Sequence, residues 1–103
     1  MEFKVFLTVG GRREEVRRFS MEEVGLDKLV TRVRTSFCHL TPEMELKIRW
    51  EDEEADMVDI TTDEELKLAL HHMRDRMVYR LHVGVRREEP WWQQVGLFKS
   101  VLF

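Results

Sequence analysis

The side chains with the clearest chemical potential are carboxylates, and they are concentrated in one stretch of the chain. Residues 51–75 carry ten acidic and two basic side chains, a net charge of −8, whereas residues 1–50 carry +2 and residues 76–103 carry +3. The whole chain has a net charge of only −3. Charge separated in this way creates a local field, and it therefore indicates a partner of opposite sign.

A calcium loop is a second interpretation of the same stretch. Asp52, Glu54 and Asp56 stand at alternating positions, as the first ligands of an EF-hand loop do. The later positions depart from that loop, because Met57 replaces its glycine and Asp63 replaces its bidentate glutamate. A metal-binding regulatory domain is therefore the less favoured alternative, and we expect neither a metal nor a cofactor.

Catalytic chemistry is not indicated elsewhere in the sequence. The histidines show no ligand spacing, and His71 and His72 are neighbours on a predicted helix that cannot face one metal ion. We find no Ser/His/Asp or Cys/His set, no glycine-rich phosphate loop and no zinc pattern. Cys38 is alone, which rules out an intramolecular disulfide and predicts a small core or boundary residue. We therefore do not expect an enzyme.

Length and composition predict one small globular domain in a reducing compartment. The chain has 103 residues, of which 43% are hydrophobic, enough for a core without disulfides. No apolar run approaches 18 residues and no basic start precedes an apolar stretch, so neither a membrane span nor a signal peptide is expected. Together with the single thiol, this favours the cytoplasm. Nucleic acid is a poor partner, because the acidic segment would repel phosphates.

Hydrophobic periodicity predicts the elements that position these charges. Residues 1–9 alternate as a strand, Gly10-Gly11 permits a tight turn, and the chain returns as a second strand to Phe19. From Leu26 the period becomes helical, and this amphipathic helix is expected to end near His39, before Pro42. The inward residues are then Phe3, Val5, Leu7 and Val9 in the strand and Leu26, Leu29, Val30, Val33 and Phe37 in the helix.

The second half of the chain repeats this arrangement. Leu46, Ile48 and Trp50 alternate as a third strand, an acidic turn covers residues 51–56, and residues 57–60 form a short fourth strand. Thr62 to Glu65 reads as a capping box that begins a second helix, and a last strand alternates from Tyr79 to Val85. The second helix is expected to bury Leu66, Ala69, Leu70 and Met73. The order ββαββαβ predicts an α+β fold, a mixed five-stranded sheet packed on two helices.

The segment from Trp50 to Leu66 resembles the acidic OPCA motif of the PB1 (PB-one, for Phox and Bem-one) domain family. The motif has an aromatic or apolar residue, spaced acids, a short strand and an acidic helix start, and Ala55 departs from it where the family usually has glycine. The resemblance covers residues 3–85 and implies a ubiquitin-like β-grasp fold. The acids that it carries over as a protein-binding face are Asp52, Glu54, Asp56, Asp63 and Glu64.

The resemblance also implies a basic face on the first two strands. Lys4 lies in the first strand, and Arg17-Arg18 lies in a stretch that resembles the sequestosome-type autophagy receptors. As neighbours in a strand, the two arginines are expected to point to opposite faces. A chain with both faces resembles the bifunctional type of PB1 domain, which binds itself head to tail and other PB1 proteins. An autophagy-receptor or signalling scaffold is the implied role.

The domain is expected to cover residues 1–87, and residues 88–103 form an apolar aromatic tail. Trp92 and Val95 resemble the short aromatic-x-x-aliphatic motif that autophagy receptors present to ubiquitin-like autophagosome proteins. The alternative is that the tail folds back on the domain or stabilises a self-contact. For the domain itself, the alternative function is a monomeric ubiquitin-like adaptor that binds one partner through one face. Conjugation like ubiquitin is not expected, because the chain ends at Phe103 without a di-glycine.

Overall fold

The computed structural model of the chain describes residues 1–10, 12–37 and 40–87. Within them the order ββαββαβ is confirmed: β1 (Glu2–Val9), β2 (Arg12–Ser20), α1 (Leu26–Ser36), β3 (Met44–Glu51), β4 (Met57–Ile60), α2 (Asp63–His72) and β5 (Tyr79–Arg87). None of the helices in these ranges is long and apolar enough to span a membrane. The expectations for Cys38 and for the tail at 88–103 lie outside the described residues.

The five strands form one mixed sheet in the order β2-β1-β5-β3-β4. β1 and β5 run parallel at its centre, and the other neighbours are antiparallel. The predicted α+β class and mixed sheet are therefore confirmed. The parallel pair also has a functional consequence, because it makes direct neighbours of residues that stand more than seventy positions apart in the sequence.

The core lies between one face of the sheet and the two helices. Most inward positions of the strands are buried as the alternation predicts, and they pack against Leu29 and Val33 of α1 and Leu66 and Ala69 of α2. Other residues expected to face inward are only partly buried: Val9, Leu46, Tyr79 and Val85 in the strands and Leu26, Val30 and Leu70 in the helices. Since both helices cover the same side, the other side of the sheet is free of secondary structure among the described elements. We call that second side the open face.

Phe6 is buried although it belongs to the open face. It is only 8% exposed. The His82 ring stacks on it at a centroid distance of 5.0 Å, and the Lys4 ammonium lies 5.3 Å from its centroid. Strand alternation predicts the side of the sheet correctly here, but it does not predict that polar neighbours cover the ring.

The prediction that α1 continues to about His39 is wrong, because the helix ends at Ser36. The hydroxyls of Thr35 and Ser36 both donate to the Arg32 carbonyl, at 3.0 and 2.8 Å. Such bonds compete with the helical backbone ladder near its end. Phe37 then leaves the helical region with φ −115°, yet its side chain is fully buried, so its place in the apolar pattern reflects the core and not the helix.

Candidate functional site

The acidic turn between β3 and β4 is organised by one of its own carboxylates. Oδ1 of Asp52 accepts hydrogen bonds from the backbone N–H groups of Glu54 at 3.0 Å and Asp56 at 2.9 Å. The backbone closes the same turn, because the Asp52 N–H donates to the Asp56 carbonyl at 3.0 Å. Asp52 is half-buried, and through these hydrogen bonds its carboxylate stabilises the turn as well as adding charge to its surface.

Ala55 adopts the backbone conformation that glycine favours. Its φ is +64°, in the left-handed region, and its N–H donates to the Asp52 carbonyl at 3.1 Å. A residue with a Cβ in that region costs about 1–2 kcal/mol. The substitution of the family's usual glycine is thus accommodated, and the turn keeps its hydrogen bonds despite the strain.

Three carboxylates of the turn point outward without an internal partner. Glu53, Glu54 and Asp56 are exposed, and none of their side chains makes an ion pair or hydrogen bond within the part of the chain that the structure describes. Glu54 and Asp56 belong to the acidic set expected from the sequence, and Glu53 adds to it. These groups supply negative charge that the fold itself does not neutralise.

At the start of α2, as in the turn, one acidic residue stabilises the fold and another faces the solvent. Oδ1 of Asp63 accepts from the backbone N–H of Leu26, the first residue of α1, at 2.7 Å. Because Gly25 provides no side-chain cap for α1, Asp63 caps that helix from across the fold. Glu64 is exposed, without a hydrogen-bonding or ionic partner among the described side chains.

The capping box at Thr62 is present, with one difference from the expectation. The Thr62 hydroxyl accepts from the Glu65 N–H at 3.1 Å as predicted, but the Glu65 carboxylate reaches back to the N–H of Thr61, also at 3.1 Å. The hydroxyl of Thr61 donates to the same carboxylate oxygen. These hydrogen bonds from Thr61, with weaker ones from Thr62, lower the pKa of the Glu65 carboxyl below its ordinary value.

The acidic turn and the start of α2 lie at the two ends of the four-residue strand β4, on the edge of the sheet. At about 3.3 Å per residue, they are separated by about 13 Å. The carboxylates that point outward without internal partners define what we call the acidic edge: Glu53, Glu54, Asp56 and Glu64.

Lys4 and Arg18 lie side by side on the open face. They are directly paired residues of the antiparallel strands β1 and β2. Arg80 pairs with Lys4 on its other side, across the parallel contact with β5. We call Arg18, Lys4 and Arg80 the basic row, since they form a line of cations across three strands. Arg80 was not predicted from the sequence, because its place in the row depends on the pairing of β1 with β5.

The cations of the open face differ in how far the fold neutralises them. Arg18 donates from Nη2 and Nε to one carboxylate oxygen of Glu2, at 2.8 and 3.2 Å. In β3, Nε of Arg49 lies 2.6 Å and Nζ of Lys47 lies 3.9 Å from carboxylate oxygens of Asp59. Arg80 is exposed and makes no such contact with any described residue.

Arg17 lies on the opposite side of β2 from Arg18, as predicted for neighbours in a strand. Its Nε is 3.4 Å from the Ser36 carbonyl, its guanidinium lies 5.9 Å from the Phe37 ring centroid, and Glu15 is 3.8 Å away. The structure therefore brings Lys4 and Arg18 together but directs Arg17 towards the end of α1. A cation in that position interacts favourably with the last carbonyls of the helix.

Within the described part of the chain, no group of three or more His, Cys, Asp or Glu side chains is arranged to hold a metal ion. His72 stacks on Trp50 at 5.5 Å, and His71 lies 3.0 Å from an Arg74 nitrogen. Trp92 and Val95, the expected tail motif, lie outside the described residues.

Comparison with known proteins identifies the family of this fold. The sequence model of the PB1 domain matches residues 1–86. Among solved structures, the AtNBR1-PB1 domain superposes with a TM-score of 0.54 at 17% identity, covering 84% of this chain and 98% of that one. The AtNBR1-PB1 filament (L-type), determined by cryo-EM, gives 0.58 at 20% identity, with 85% and 99% coverage. A search of curated protein sequences finds no match.

Proposed function

Because the chain belongs to the PB1 domain family, whose members are protein–protein interaction modules with a ubiquitin-like β-grasp fold, we propose that it associates head to tail. The acidic edge of one copy, together with Asp52 and Asp63, binds the basic face of the next copy through Lys4 and Arg18. Repetition of this contact gives homo-oligomers or filaments. The same faces bind other PB1 proteins.

The observation that carries this proposal is the separation of an acidic and a basic set of side chains on two different parts of the surface. Among the described residues, Glu53, Glu54, Asp56 and Glu64 are exposed without internal partners, and the contact found for the Lys4 ammonium is the Phe6 ring. Two different patches on one molecule make a heterologous contact, which continues from copy to copy unless something caps it. Hydrogen bonds between lysine or arginine and carboxylates supply the orientation of such a contact.

Assembly in a related fold supports the same reading. The AtNBR1-PB1 filament (L-type), whose chain shares the fold at 20% identity, is such an assembly. We propose that this chain likewise serves as an autophagy-receptor or signalling scaffold in the cytoplasm. The tail extends this proposal, with Trp92 and Val95 binding ubiquitin-like autophagosome proteins as an added strand.

Static light scattering across protein concentration, at low and high salt, tests the assembly. The molar mass is expected to rise with concentration and to fall with salt, because exposed charges are screened beyond about 8 Å at physiological ionic strength. A mass that stays monomeric at low salt would contradict homo-assembly and favour the monomeric adaptor that binds one partner through one face.

Two complementary variants test the assignment of the faces. An acid-only copy carries Lys4→Ala and Arg18→Ala, and a basic-only copy carries Glu54→Ala and Asp56→Ala. Each is expected to be monomeric alone, and the two are expected to form a heterodimer in isothermal titration calorimetry. Lys28→Ala is the matched control, since it removes a cation on α1 whose partner is Glu23, and it should leave assembly unchanged. Folded variants that do not associate would show that the faces are wrongly assigned.

A further inference from the structure

A depression on the open face has a lining that suits a tryptophan side chain. It has a volume of about 640 Å³ and includes Phe6 of β1 and His82 of β5, whose rings stack on each other. Its lining adds two cations and two carboxylates: Arg76, Arg80, Glu51 and Asp52. An indole ring uses all three kinds of neighbour, because its faces stack on aromatic rings and on cations while its N–H donates to a carboxylate.

Met77 leaves apolar surface unburied in the lining of this depression. It is 97% exposed, more than any other large hydrophobic residue in the described part of the chain. Contact with an aromatic ring would bury this side chain favourably, since the methionine thioether packs well on ring edges. An acidic occupant is disfavoured in the depression, because Glu51 and Asp52 would repel a carboxylate. The occupant that fits is therefore aromatic and uncharged.

The chain itself carries two tryptophans within reach of the depression. β5 contributes His82 to the lining and ends at Arg87, so His82 lies about 17 Å back along the strand at about 3.3 Å per residue. Trp91 and Trp92 follow Arg87 by four and five residues, and five extended residues span up to about 18 Å. Pro90, between the strand and the tryptophans, favours a turn. A reversal there brings both indole rings over the depression.

The surface that the returning chain has to cross includes a position without a side chain. Gly84 belongs to the open face by alternation with the buried Val83, and it is paired with Thr8 of β1, which also lines the depression. A Cβ added at Gly84 would meet nothing closer than the Lys47 carbonyl oxygen, 4.0 Å away. The glycine therefore leaves room for a segment that runs back along β5.

We propose that the tail of this chain, residues 88–103, folds back on its own open face and places Trp91 and Trp92 in this depression. The docked tail covers Phe6 and lies beside Lys4, whose ammonium is 5.3 Å from the Phe6 ring centroid. The acidic edge of a second copy then has to displace the tail, and displacement releases Trp92 for a ubiquitin-like partner. The docking does not depend on the proposed head-to-tail function, whereas the competition rests on it.

The methyl NMR spectrum of the full-length basic-only copy tests the docking, because this copy keeps the open face intact and is expected to be monomeric. An indole ring beside Met77 displaces its methyl signal through the ring current. We expect Trp91→Ala combined with Trp92→Ala to return that signal to the position of an exposed methionine. The methyl signal of Met57, which is 43% exposed beside the acidic turn, is the internal control and should not move. Lys99→Ala is the matched tail variant and should leave the Met77 signal unchanged.

The concentration dependence of the Met77 signal shows which chain supplies the tail. Docking within one chain is independent of protein concentration, so the displacement should be constant on dilution. If it grew with concentration, the tail would dock on a second copy, and the intramolecular docking would be overturned. If the tryptophan substitutions left the Met77 signal where it is, the tail would not occupy the depression at all. The melting temperature of each variant verifies that the domain remains folded.

The competition has a separate readout in the Kd between the basic-only and acid-only copies, measured by isothermal titration calorimetry. The two tryptophan substitutions in the basic-only copy are expected to lower the Kd about threefold, because a surface that is covered part of the time binds with a proportionally raised apparent Kd. Lys99→Ala should leave the Kd unchanged. If the two copies do not associate at all, the head-to-tail function fails, and the methyl spectrum still decides the docking. If they associate and the tryptophan substitutions do not change the Kd, the function stands and the competition is overturned.

Discussion

The acidic edge and the basic row carry opposite charges and are also built by opposite means. The acidic edge comes from twelve consecutive positions, 53–64, and its shape is set by short-range hydrogen bonds such as those accepted by Asp52. The basic row takes one residue from each of three strands, and only the pairing register aligns Arg18, Lys4 and Arg80. A local element supplies one side of the contact, and the assembled sheet supplies the other.

The two regions also differ in how they use their surplus charge. Near the acidic edge, carboxylates that accept backbone N–H bonds form the framework, and separate carboxylates face the solvent. On the open face, two carboxylates that belong to the same surface offset part of the cationic charge. Substitutions near the acidic edge should therefore alter stability and binding at different positions, whereas those on the open face should chiefly alter binding.

Replacing the organiser of the turn should have the largest effect. Asp52→Ala leaves the N–H groups of Glu54 and Asp56 without their acceptor, so we expect the free energy of unfolding to fall by about 1–2 kcal/mol. Asp52→Asn keeps an oxygen acceptor at the same place and should retain most of the stability while it lowers binding. Urea unfolding measures the free energy of unfolding of both variants. If Asp52→Ala were as stable as Glu53→Ala, the turn would not depend on this carboxylate, and the comparison between the two regions would break down.

Removing the cap that Asp63 provides for α1 should lower the free energy of unfolding somewhat less than Asp52→Ala does. Asp63→Ala removes the acceptor for the N–H of Leu26, and the loss of a helix cap typically costs about 1 kcal/mol. Glu64→Ala, one position later, should leave stability within about 0.5 kcal/mol and act on binding instead. Hydrogen exchange at the Leu26 amide gives a local readout, because it should quicken in the Asp63 variant and stay unchanged in the Glu64 variant. If both substitutions lowered stability equally, the conclusion that Asp63 stabilises the fold and Glu64 does not would be contradicted.

These contrasts explain how much of the molecule could be predicted from its sequence. The elements and their order follow from periodicity, and β4 begins and ends where the pattern places it. Contiguity makes the acidic segment visible, since charges that are close in the chain stay close in the fold. That Asp63 caps α1 could not be predicted in this way, because its partner Leu26 stands 37 positions earlier.

The basic row could not be predicted from the sequence. Alternation with Leu81 and Val83 is enough to predict that Arg80 points away from the core, but not which residue stands beside it. That depends on the parallel pairing of β1 with β5 and on its register, which is a tertiary property. The end of α1 was predicted wrongly for a related reason. Phe37 stands at helical spacing from the other apolar residues of α1, but it is buried in the core after the helix has ended.

A smaller effect should come from the strained residue of the turn. Ala55→Gly removes the penalty of a Cβ at φ +64° and adds chain entropy to the unfolded state, so we expect a net gain of about 0.5 kcal/mol. Gly10→Ala is the reciprocal variant, since Gly10 has φ +60° and open space where a Cβ would stand. It should lose a similar amount, and a loss from Ala55→Gly as well would mean that the turn is not held in the left-handed region. Thermal unfolding of both variants measures the difference.

The smallest effect should come from the carboxylate that competes for the basic row. Glu2 occupies Arg18 much as a partner's carboxylate would, so Glu2→Gln should free the guanidinium and strengthen binding to the acid-only copy about twofold. Glu23→Gln is the matched control, because it removes a carboxylate whose partner, Lys28, lies on α1. The gain should be larger at low salt, since the contact that Arg18 then makes is electrostatic. If Glu2→Gln weakened binding instead, Glu2 would be holding Arg18 in its binding position, and the basic row, like the acidic edge, would have its own internal support.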